Sequence, residues 1–324
     1  METKKLEKFK LILKKEYSII ILFLIFFISS WFFFPSWVLN TISLSFCNGL
    51  VVLGLLILMK AGLISFGHGM YYCLGGYTVA LFYNFFNITD AIVLILLCIS
   101  LSFLVSFVLG FFVRSFRGIF FAMLNLALSM ILFGIIVKSI SLGSTDGFGI
   151  KEVTYLGSFL KEEKRLNILS YLFTITITTA CMLFILRYLR SSAGKTLEAI
   201  RENEIRSSYL GVNINIQIHK IYIISAILSA IGGGLMVLLV GHITPEDTAY
   251  WTKSGEFVFV AILSGSANVF APIIGSLFFE FIRSYALFYF PNTWQMILGV
   301  VLIIGIIYLP EGLGSIFNKK IRKK

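Results

Sequence analysis

Residues 190–220 read RSSAGKTLEAIRENEIRSSYLGVNINIQIHK, a polar and charged segment between apolar runs at 167–189 and 220–242. Each flanking run is long enough to cross a bilayer, because about 20 apolar residues span a hydrocarbon core of about 30 Å. A chain that alternates in this way buries its apolar runs in lipid and presents its polar segments to water. The pattern therefore predicts a membrane protein with one conspicuous soluble loop.

The rest of the chain is equally apolar. Hydrophobic residues make up 58% of the 324 residues and charged residues only 13%, whereas a soluble domain carries about 25% charged residues. We therefore predict an all-α fold, a polytopic membrane helical bundle of about ten transmembrane segments. The candidate spans are 18–34, 39–59, 66–86, 91–113, 119–139, 167–189, 220–242, 255–269, 271–290 and 294–310.

The first and the eighth of these spans are unusual. The first follows a basic stretch, as a signal peptide does, but it ends in aromatic residues and Pro35 without a cleavage site, so we expect it to remain. The eighth, at 255–269, is short and has a polar centre. It is expected either to cross or to re-enter the bilayer, since a broken helix survives only inside a bundle or beside water. Residues 18–312 would then form a single transmembrane domain.

Positive charge is distributed unevenly along the chain. Most of the 27 Lys and Arg residues lie in the basic ends at 1–17 and 313–324, in the loop 190–219, and in turns that the ten-span arrangement places on the same side of the membrane. By the positive-inside rule, this bias places both termini and the loop in the cytoplasm. The basic residues are not interleaved with aromatic ones, so we expect membrane lipid as a partner and no nucleic acid.

Cysteine usage indicates no redox or metal chemistry. The four cysteines lie in apolar segments at unrelated spacings and form no CxxC motif. Buried thiols commonly behave as small hydrophobic groups. We therefore expect no metal site and no disulfide at these residues. We also expect no cofactor and no catalytic residue. The cysteines are Cys47, Cys73, Cys98 and Cys181.

Glycines are concentrated in residues 61–81, AGLISFGHGMYYCLGGYTVAL, at the start of a candidate span. Each costs helix stability of about 1 kcal/mol relative to alanine, so their number needs a reason. The segment either borders a substrate path or packs closely against another helix. Ser65 and His68 add polar groups, but no carboxylate near His68 in sequence supports a proton relay. A second run, Gly232–Gly234, either lets neighbouring helices slide or rotate against each other or serves static packing.

Two charged residues lie near the middle of the candidate span 271–290. Glu280 and Arg283 are three residues apart, on one face of a helix. Unpaired, each would cost about 3 kcal/mol in a bilayer. We therefore expect them to pair with each other, facing the bundle, in a structural role rather than as direct contacts to a substrate.

The loop 190–219 contains its own helix signals. Thr196 is placed to cap a helix that starts at Leu197 and runs for about 14 residues, with Glu198 and Glu202 near its positive end. Gly211 is a natural stop. Because the apolar arc of this helix is interrupted by charges, docking into a partner's groove is favoured over lying on the membrane surface. An unstructured connecting loop remains the alternative.

Several motifs in order along residues 40–315 resemble those of LivM-type permeases of branched-chain amino-acid ABC importers. The loop sequence EAIRENEIRSSYLGVN is similar to the cytoplasmic coupling region of these permeases, a relative of the Glu-Ala-Ala loop. The glycine-rich segment at 61–81 is similar as well. The remaining motifs are SAILSAIGGGLM, ITPE at 243–246, FEFIR at 279–283 and LPEGL near the end.

The resemblance implies a bacterial inner-membrane permease subunit that takes its energy from other proteins. Its partners would be a second permease subunit of LivH type, two ATPase subunits and a periplasmic substrate-binding protein. The chain contains no GxxxxGK[ST] motif, and the string AGKT at 193–196 lacks the first glycine. By position, the coupling residues would be Glu198, Ala199, Arg201, Glu202, Asn203, Glu204 and Gly211.

The resemblance also implies a translocation pathway, which would be bordered by Ser65, Gly67, His68, Gly75, Gly76 and Asn125. The chain departs from the family pattern at Asn125-Leu126, at LGSTDGFG and at SGSANVFAPIIGS, near where a substrate would pass. These departures leave the cargo open between branched-chain or other small amino acids and, alternatively, urea, amides, simple sugars or nucleosides.

Two other classes of function remain to be weighed. A membrane enzyme could use His68 as a base, but it would need a converging carboxylate or nucleophile, and Ser65 is the only local candidate. An ion-coupled secondary transporter would need buried carboxylates, of which Glu280 is the one clear example. The importer permease is therefore the leading hypothesis.

Overall fold

The fold was examined in a computed structural model that describes residues 24–31, 33–151, 153–155, 163–266, 268–309 and 312–314, with the backbone alone for 163–167. These residues are almost entirely helical, which confirms the predicted all-α bundle. The helices are α1 (Ser36–Lys60), α2 (His68–Phe86), α3 (Ala91–Val113), α4 (Gly118–Lys138), α5 (Glu163–Arg190), α6 (Ser192–Glu202), α7 (Glu204–Tyr209), α8 (Ile214–Val240), α9 (Pro245–Thr248), α10 (Trp251–Ser264), α11 (Ala271–Tyr289) and α12 (Trp294–Tyr308). A short 3-10 helix (Ile140–Leu142) and the strands β1 (Phe148–Gly149) and β2 (His242–Ile243) complete the described elements.

Six of the described helices are long and apolar enough to cross a membrane: α1, α3, α4, α5, α8 and α11. They coincide with six of the ten expected spans. The expected span 66–86 forms a helix, α2, and the expected span 294–310 forms the shorter apolar helix α12. The predicted number of ten spans is not confirmed.

The eighth expected span is shorter than predicted and begins earlier. Helix α10 has 14 residues, which is about 21 Å at 1.5 Å per residue and less than the bilayer core. It ends at Gly265, whose φ of 72° is the left-handed region that glycine adopts without strain. Lys253, which precedes the expected span 255–269, lies within this helix.

Helix α8 forms the centre of the bundle, packed against α1, α2 and α3. Its side chains are buried on all faces over residues 228–238. A helix that is apolar on every side is typical of such a central position. By contrast, α3 and α4 expose large side chains such as Phe107, Phe111 and Ile119, as helices that face lipid or another protein do.

A small sheet joins loops at one end of the bundle. Phe148 pairs with Ile243 and Gly149 with His242 in antiparallel register, so the segment after α4 is tied to the segment after α8. Nearby, the Ala91 amide donates to the Thr154 carbonyl at 3.0 Å. These contacts fasten this end of α3, α4 and α8 together.

Several predicted segments lie outside the described residues. They are the basic N-terminus 1–17, residues 18–23 and 32 of the first span, and all but the first two residues of the tail 313–324. Residues 24–30 of the first span are helical.

Candidate functional site

The structure brings together three of the six predicted pathway residues at the start of α2. The Gly67 amide donates to Ser65 Oγ at 3.3 Å. A Cβ placed on Gly67 would lie 2.7 Å from the Asn125 carbonyl oxygen on α4. Because a van der Waals contact needs more than 3 Å, only glycine allows α2 to approach α4 this closely. All three residues are buried.

A chain of hydrogen bonds connects Asn125 to α2 and α8. The Tyr71 hydroxyl donates to the Tyr222 hydroxyl at 3.0 Å, and the Tyr222 hydroxyl donates to Asn125 Oδ1 at 2.8 Å. The Asn125 amide nitrogen donates to the Phe121 carbonyl at 2.7 Å. Neither tyrosine was predicted as a site residue. The sequence signal was present, however, since a tyrosine buried in an apolar bundle requires a partner for its hydroxyl.

His68 is 1% exposed and pairs across the bundle. Its Nε2 lies 2.5 Å from the Ser225 Oγ on α8, while its buried Nδ1 has no hydrogen-bond partner among the described residues. Ser65 was the local candidate partner of His68 because the two residues are three apart in sequence. In the structure Ser65 Oγ accepts from the Gly67 amide instead. The arrangement fits a helix-to-helix contact, since the hydrogen bonds described for His68 and Ser65 involve no acid.

The other two predicted pathway residues, Gly75 and Gly76, lie where α2 crosses α8. A Cβ on Gly75 would overlap the backbone of Ala230, and a Cβ on Gly233 would overlap the backbone of Tyr72. A Cβ on Gly76 would contact side chains of β2 and α8. The glycines thus allow two helices to meet backbone to backbone, which is the packing interpretation left open by the sequence.

Glu280 and Arg283 lie close together, but their pairing differs from the prediction. One guanidinium nitrogen of Arg283 lies 3.7 Å from Glu280 Oε1, which is beyond hydrogen-bond distance. The short contact to Glu280 comes from Asn48 on α1, whose Nδ2 donates at 2.6 Å. Asn48 Oδ1 in turn accepts from the Tyr72 hydroxyl at 3.0 Å. The expected pair is therefore one part of a larger network.

The same network includes two residues at the start of α10. Lys253 Nζ donates to Glu256 Oε2 at 3.0 Å, and Arg283 lies 3.7 Å from the same oxygen. Two acids and two bases make the group neutral at pH 7. The sequence prediction missed Glu256, although its spacing of three residues from Lys253 and the apolar run that follows were visible signals.

The cytoplasmic loop of the prediction contains two helices rather than one. Helix α6 begins at Ser192, and α7 begins after a break at Asn203, where φ and ψ are −161° and 107°. The Asn203 side chain accepts from the Arg206 amide at 2.9 Å and so caps α7. Thr196, predicted to be the cap, lies inside α6 and donates to the Ser192 carbonyl.

The early start of α6 also changes the positions of the two acids. Glu198 lies in the middle of α6 and Glu202 at its end, not near its positive end as predicted. The predicted stop is confirmed at Gly211, which has a φ of 83°.

Two ion pairs tie these short helices to the ends of membrane helices. Glu204 accepts from Arg117 Nε at 2.7 Å, and Arg117 also donates to the Asn215 side chain at 3.1 Å. Glu198 lies 3.2 Å from Lys60, the last residue of α1. The first pair links α7 to the turn between α3 and α4, and the second links α6 to α1.

The two short helices differ in which side they expose. Leu197 and Ile200 of α6 are buried against the bundle, at 0% and 1% exposure. Beyond the break, Ile205, Tyr209 and Leu210 are 67%, 86% and 77% exposed. The change of direction at Asn203 turns the apolar residues away from the bundle. The predicted coupling residues Ala199, Arg201, Glu202 and Asn203 are exposed as well.

Comparison with known proteins identifies related sequences. A family profile described as "Branched-chain amino acid transport system / permease component" matches residues 37–306. The chain is 25% identical to the high-affinity branched-chain amino acid transport system permease protein LivM of Salmonella typhimurium, over 85% of this chain and 69% of that protein. It is 24% identical to the Escherichia coli protein of the same name, with the same coverage. No solved structure matches.

Proposed function

The chain belongs to the family of branched-chain amino acid transport system permease components, and from this premise we propose that it is one permease subunit of an ATP-driven importer. As a member of this family with several apolar helices long enough to span a bilayer, it is a multi-pass protein of the inner membrane. The proposed cargo is a branched-chain or other small amino acid. In the proposed topology both termini and residues 190–219 face the cytoplasm.

The proposed partners are two ATPase subunits, a second permease subunit of LivH type and a periplasmic substrate-binding protein. The absence of a phosphate-binding GxxxxGK[ST] motif from the 324 residues supports a division of labour in which other chains hydrolyse ATP. A permease of this kind would be moved by the ATPase subunits, and this motion would open its pathway to one side of the membrane at a time.

The observation that carries this proposal is the pair of salt bridges at the two short helices. Through Arg117–Glu204, a displacement of α7 would reach the turn between α3 and α4. Through Lys60–Glu198, a displacement of α6 would reach the end of α1. We infer that α6 and α7 together receive the motion of the ATPases, with Gly211 ending the unit.

Within this proposal, the six predicted pathway residues border the path by setting the spacing of α2, α4 and α8. Their burial favours this indirect role over contact with the cargo. Glycine contacts and the hydrogen bonds of His68 and Asn125 hold the three helices at short separations. A helix pair with glycine at its crossing can shift without meeting bulky side chains.

Reconstitution of the complete importer tests the proposal. The chain would be co-expressed with the ATPase, second permease and binding-protein genes of its neighbourhood, and the purified assembly placed in proteoliposomes. We expect uptake of labelled leucine that requires ATP, with no uptake when the ATPases carry a substitution that prevents hydrolysis. Labelled urea and ribose serve as the competing cargoes.

Other outcomes would contradict parts of this proposal. ATP hydrolysis by the purified chain alone would contradict the division of labour. Uptake driven by an ion gradient without ATPase subunits would favour a secondary transporter. Uptake of urea or ribose in place of leucine would contradict the proposed cargo but agree with the proposed role as a permease.

A further inference from the structure

The charged network of α10 and α11 reaches an exposed edge of the chain. Lys253 and Glu280 are nearly covered, with side chains 10% and 3% exposed. Glu256 and Arg283 differ, because each side chain is 23% exposed. The network therefore presents one acid and one base, 3.7 Å apart, to whatever lies beside the bundle.

The direction of the Arg283 side chain favours a polar neighbour over lipid at this edge. Helix α11 has 19 residues, about 29 Å, which nearly matches the hydrocarbon core. Arg283 precedes the end of α11 by six residues, or about 9 Å. An arginine this close to a helix end in lipid would extend toward the head groups. Arg283 instead turns toward Glu280, one helical turn deeper, and toward Glu256.

The edge also has unused hydrogen-bonding capacity. A guanidinium carries five N–H donors, yet Arg283 approaches both carboxylates only to 3.7 Å. Ser276 Oγ is buried and has no hydrogen-bond partner among the described residues. It borders a cavity of about 10 Å³ that Glu256 and Glu280 also line. A cavity of this size holds one water molecule.

We propose that the edge formed by Glu256 and Arg283 binds the head group of a neutral amino acid in the translocation pathway. The carboxylate of the ligand pairs with Arg283 and its ammonium group with Glu256. The four charged side chains sum to zero, so a zwitterion adds two new pairs without leaving a net charge in the membrane. This inference rests on the proposed function and names the cargo class that the pathway accepts.

The opposed charges of this edge also distinguish among the candidate cargoes. Urea and sugars carry no opposed charges, so they lack the feature that Glu256 and Arg283 recognise.

Thiol labelling tests whether the edge faces water. Glu256→Cys would be introduced into the complete importer with Cys181→Ser, because Cys181 is the one native cysteine that is not fully buried. We expect a charged, water-soluble thiol reagent to modify position 256 at least about tenfold faster than Phe107→Cys, which lies on the exposed apolar side of α3. Equal, slow labelling at both positions would overturn the proposal.

Ligand protection tests recognition of the zwitterion with the network intact. The reporter is Thr252→Cys, an exposed position one helical turn from Glu256 on α10. We expect millimolar leucine to slow its labelling severalfold, and leucinamide, which lacks the carboxylate, to slow it little. In Thr252→Cys/Arg283→Gln the protection by leucine disappears, whereas Arg283→Lys retains part of it and Lys151→Gln retains all.

These measurements separate the inference from the function on which it rests. ATP-driven leucine uptake by the Thr252→Cys importer, without protection by leucine, overturns the binding site alone. Protection that persists in Arg283→Gln does the same. An importer whose uptake excludes all amino acids overturns the proposed function, and the binding site with it.

Discussion

Arg117 and Glu204 are 87 residues apart in sequence and form a 2.7 Å salt bridge between the α3–α4 turn and α7. Their side chains are 29% and 37% exposed, so the pair is partly shielded from solvent. It is shorter than the second such link, Lys60–Glu198, at 3.2 Å. If α7 transmits force, this contact is the shortest described path for it.

Reversing the charge of Glu204 is expected to uncouple transport. In Glu204→Lys two positive charges face each other, and we expect the uptake rate to fall by about tenfold, equivalent to about 1.4 kcal/mol. The double variant Arg117→Glu/Glu204→Arg restores opposite charges and should recover most of the rate. ATP-driven uptake, normalised to the amount of chain in the membrane, is the measurement.

The matched control for this pair is Glu198→Lys, because the Glu198 side chain is 60% exposed. Exposed pairs contribute at most about 1 kcal/mol, so its effect should be smaller. Normal uptake by Glu204→Lys, or no recovery in the double variant, would count against coupling through Arg117.

Gly211 is expected to tolerate only residues that adopt a left-handed backbone. Its φ is 83°, and a Cβ there would meet nothing within 4 Å, so conformation alone limits substitution. Proline is held near a φ of about −65° and cannot fit. We expect Gly211→Pro to reach the membrane in normal amount but to lose uptake, while Gly211→Asn retains it. Equal uptake by the two variants would show that this turn has no part in coupling.

Adding one methyl group at Gly75 is expected to destabilise the bundle. The new Cβ would overlap the backbone of Ala230, which cannot move without shifting α8. Overpacking of this kind costs about 1–3 kcal/mol. Thermal unfolding in detergent should therefore show a lower Tm for Gly75→Ala. The control is Gly134→Ala on α4, where nothing lies within 4 Å and the helix gains up to about 1 kcal/mol.

Removing the Ser225 hydroxyl is expected to leave His68 Nε2 without its partner. An unsatisfied buried group costs about 1–3 kcal/mol, so Ser225→Ala should lower the Tm of the assembled chain. Ser229→Ala is the comparison, since its Oγ donates to the Ser225 carbonyl within one helix, at 3.0 Å. A larger loss of stability in Ser229→Ala than in Ser225→Ala would contradict a helix-to-helix role for His68.

Apolar runs were sufficient to predict most of the membrane helices. Runs such as 91–113 and 119–139 agree with α3 and α4 to within one residue, because length and hydrophobicity alone decide whether a segment can span a bilayer. The same signal fails at α10. There the helix carries Lys253 and Glu256 in its first two turns. The two pair with each other, and Glu256 also lies 3.7 Å from Arg283, about 30 residues further on.

The break between α6 and α7 shows a different limit. From Leu197 onward the residues are good helix formers, so propensity predicts one helix. In the structure Asn203 adopts an extended backbone and caps α7. The local sequence is compatible with one continuous helix and with two helices separated at Asn203. The structure has two helices, and Glu204 of the second one contacts Arg117, 87 residues earlier in the sequence. Local propensity does not contain that contact.

The hydrogen-bond partners of the buried polar groups could not be predicted from the sequence either. The sequence identified His68 and Asn125, but not Ser225 and Tyr222, which are 157 and 97 residues away from them. Hydrogen bonds in the apolar interior need a specific neighbouring helix. Which helices are neighbours depends on the packing of the whole chain.

The central position of α8 has a consequence for the synthesis of this protein on the ribosome. His68 and Tyr71 leave the ribosome more than 150 residues before Ser225 and Tyr222, an interval of roughly 8 to 30 seconds at about 5–20 residues per second. Throughout that interval the nascent chain lacks the two hydroxyl groups that His68 and Tyr71 contact in the folded bundle. A chain that stops short of α8 never acquires these two contacts.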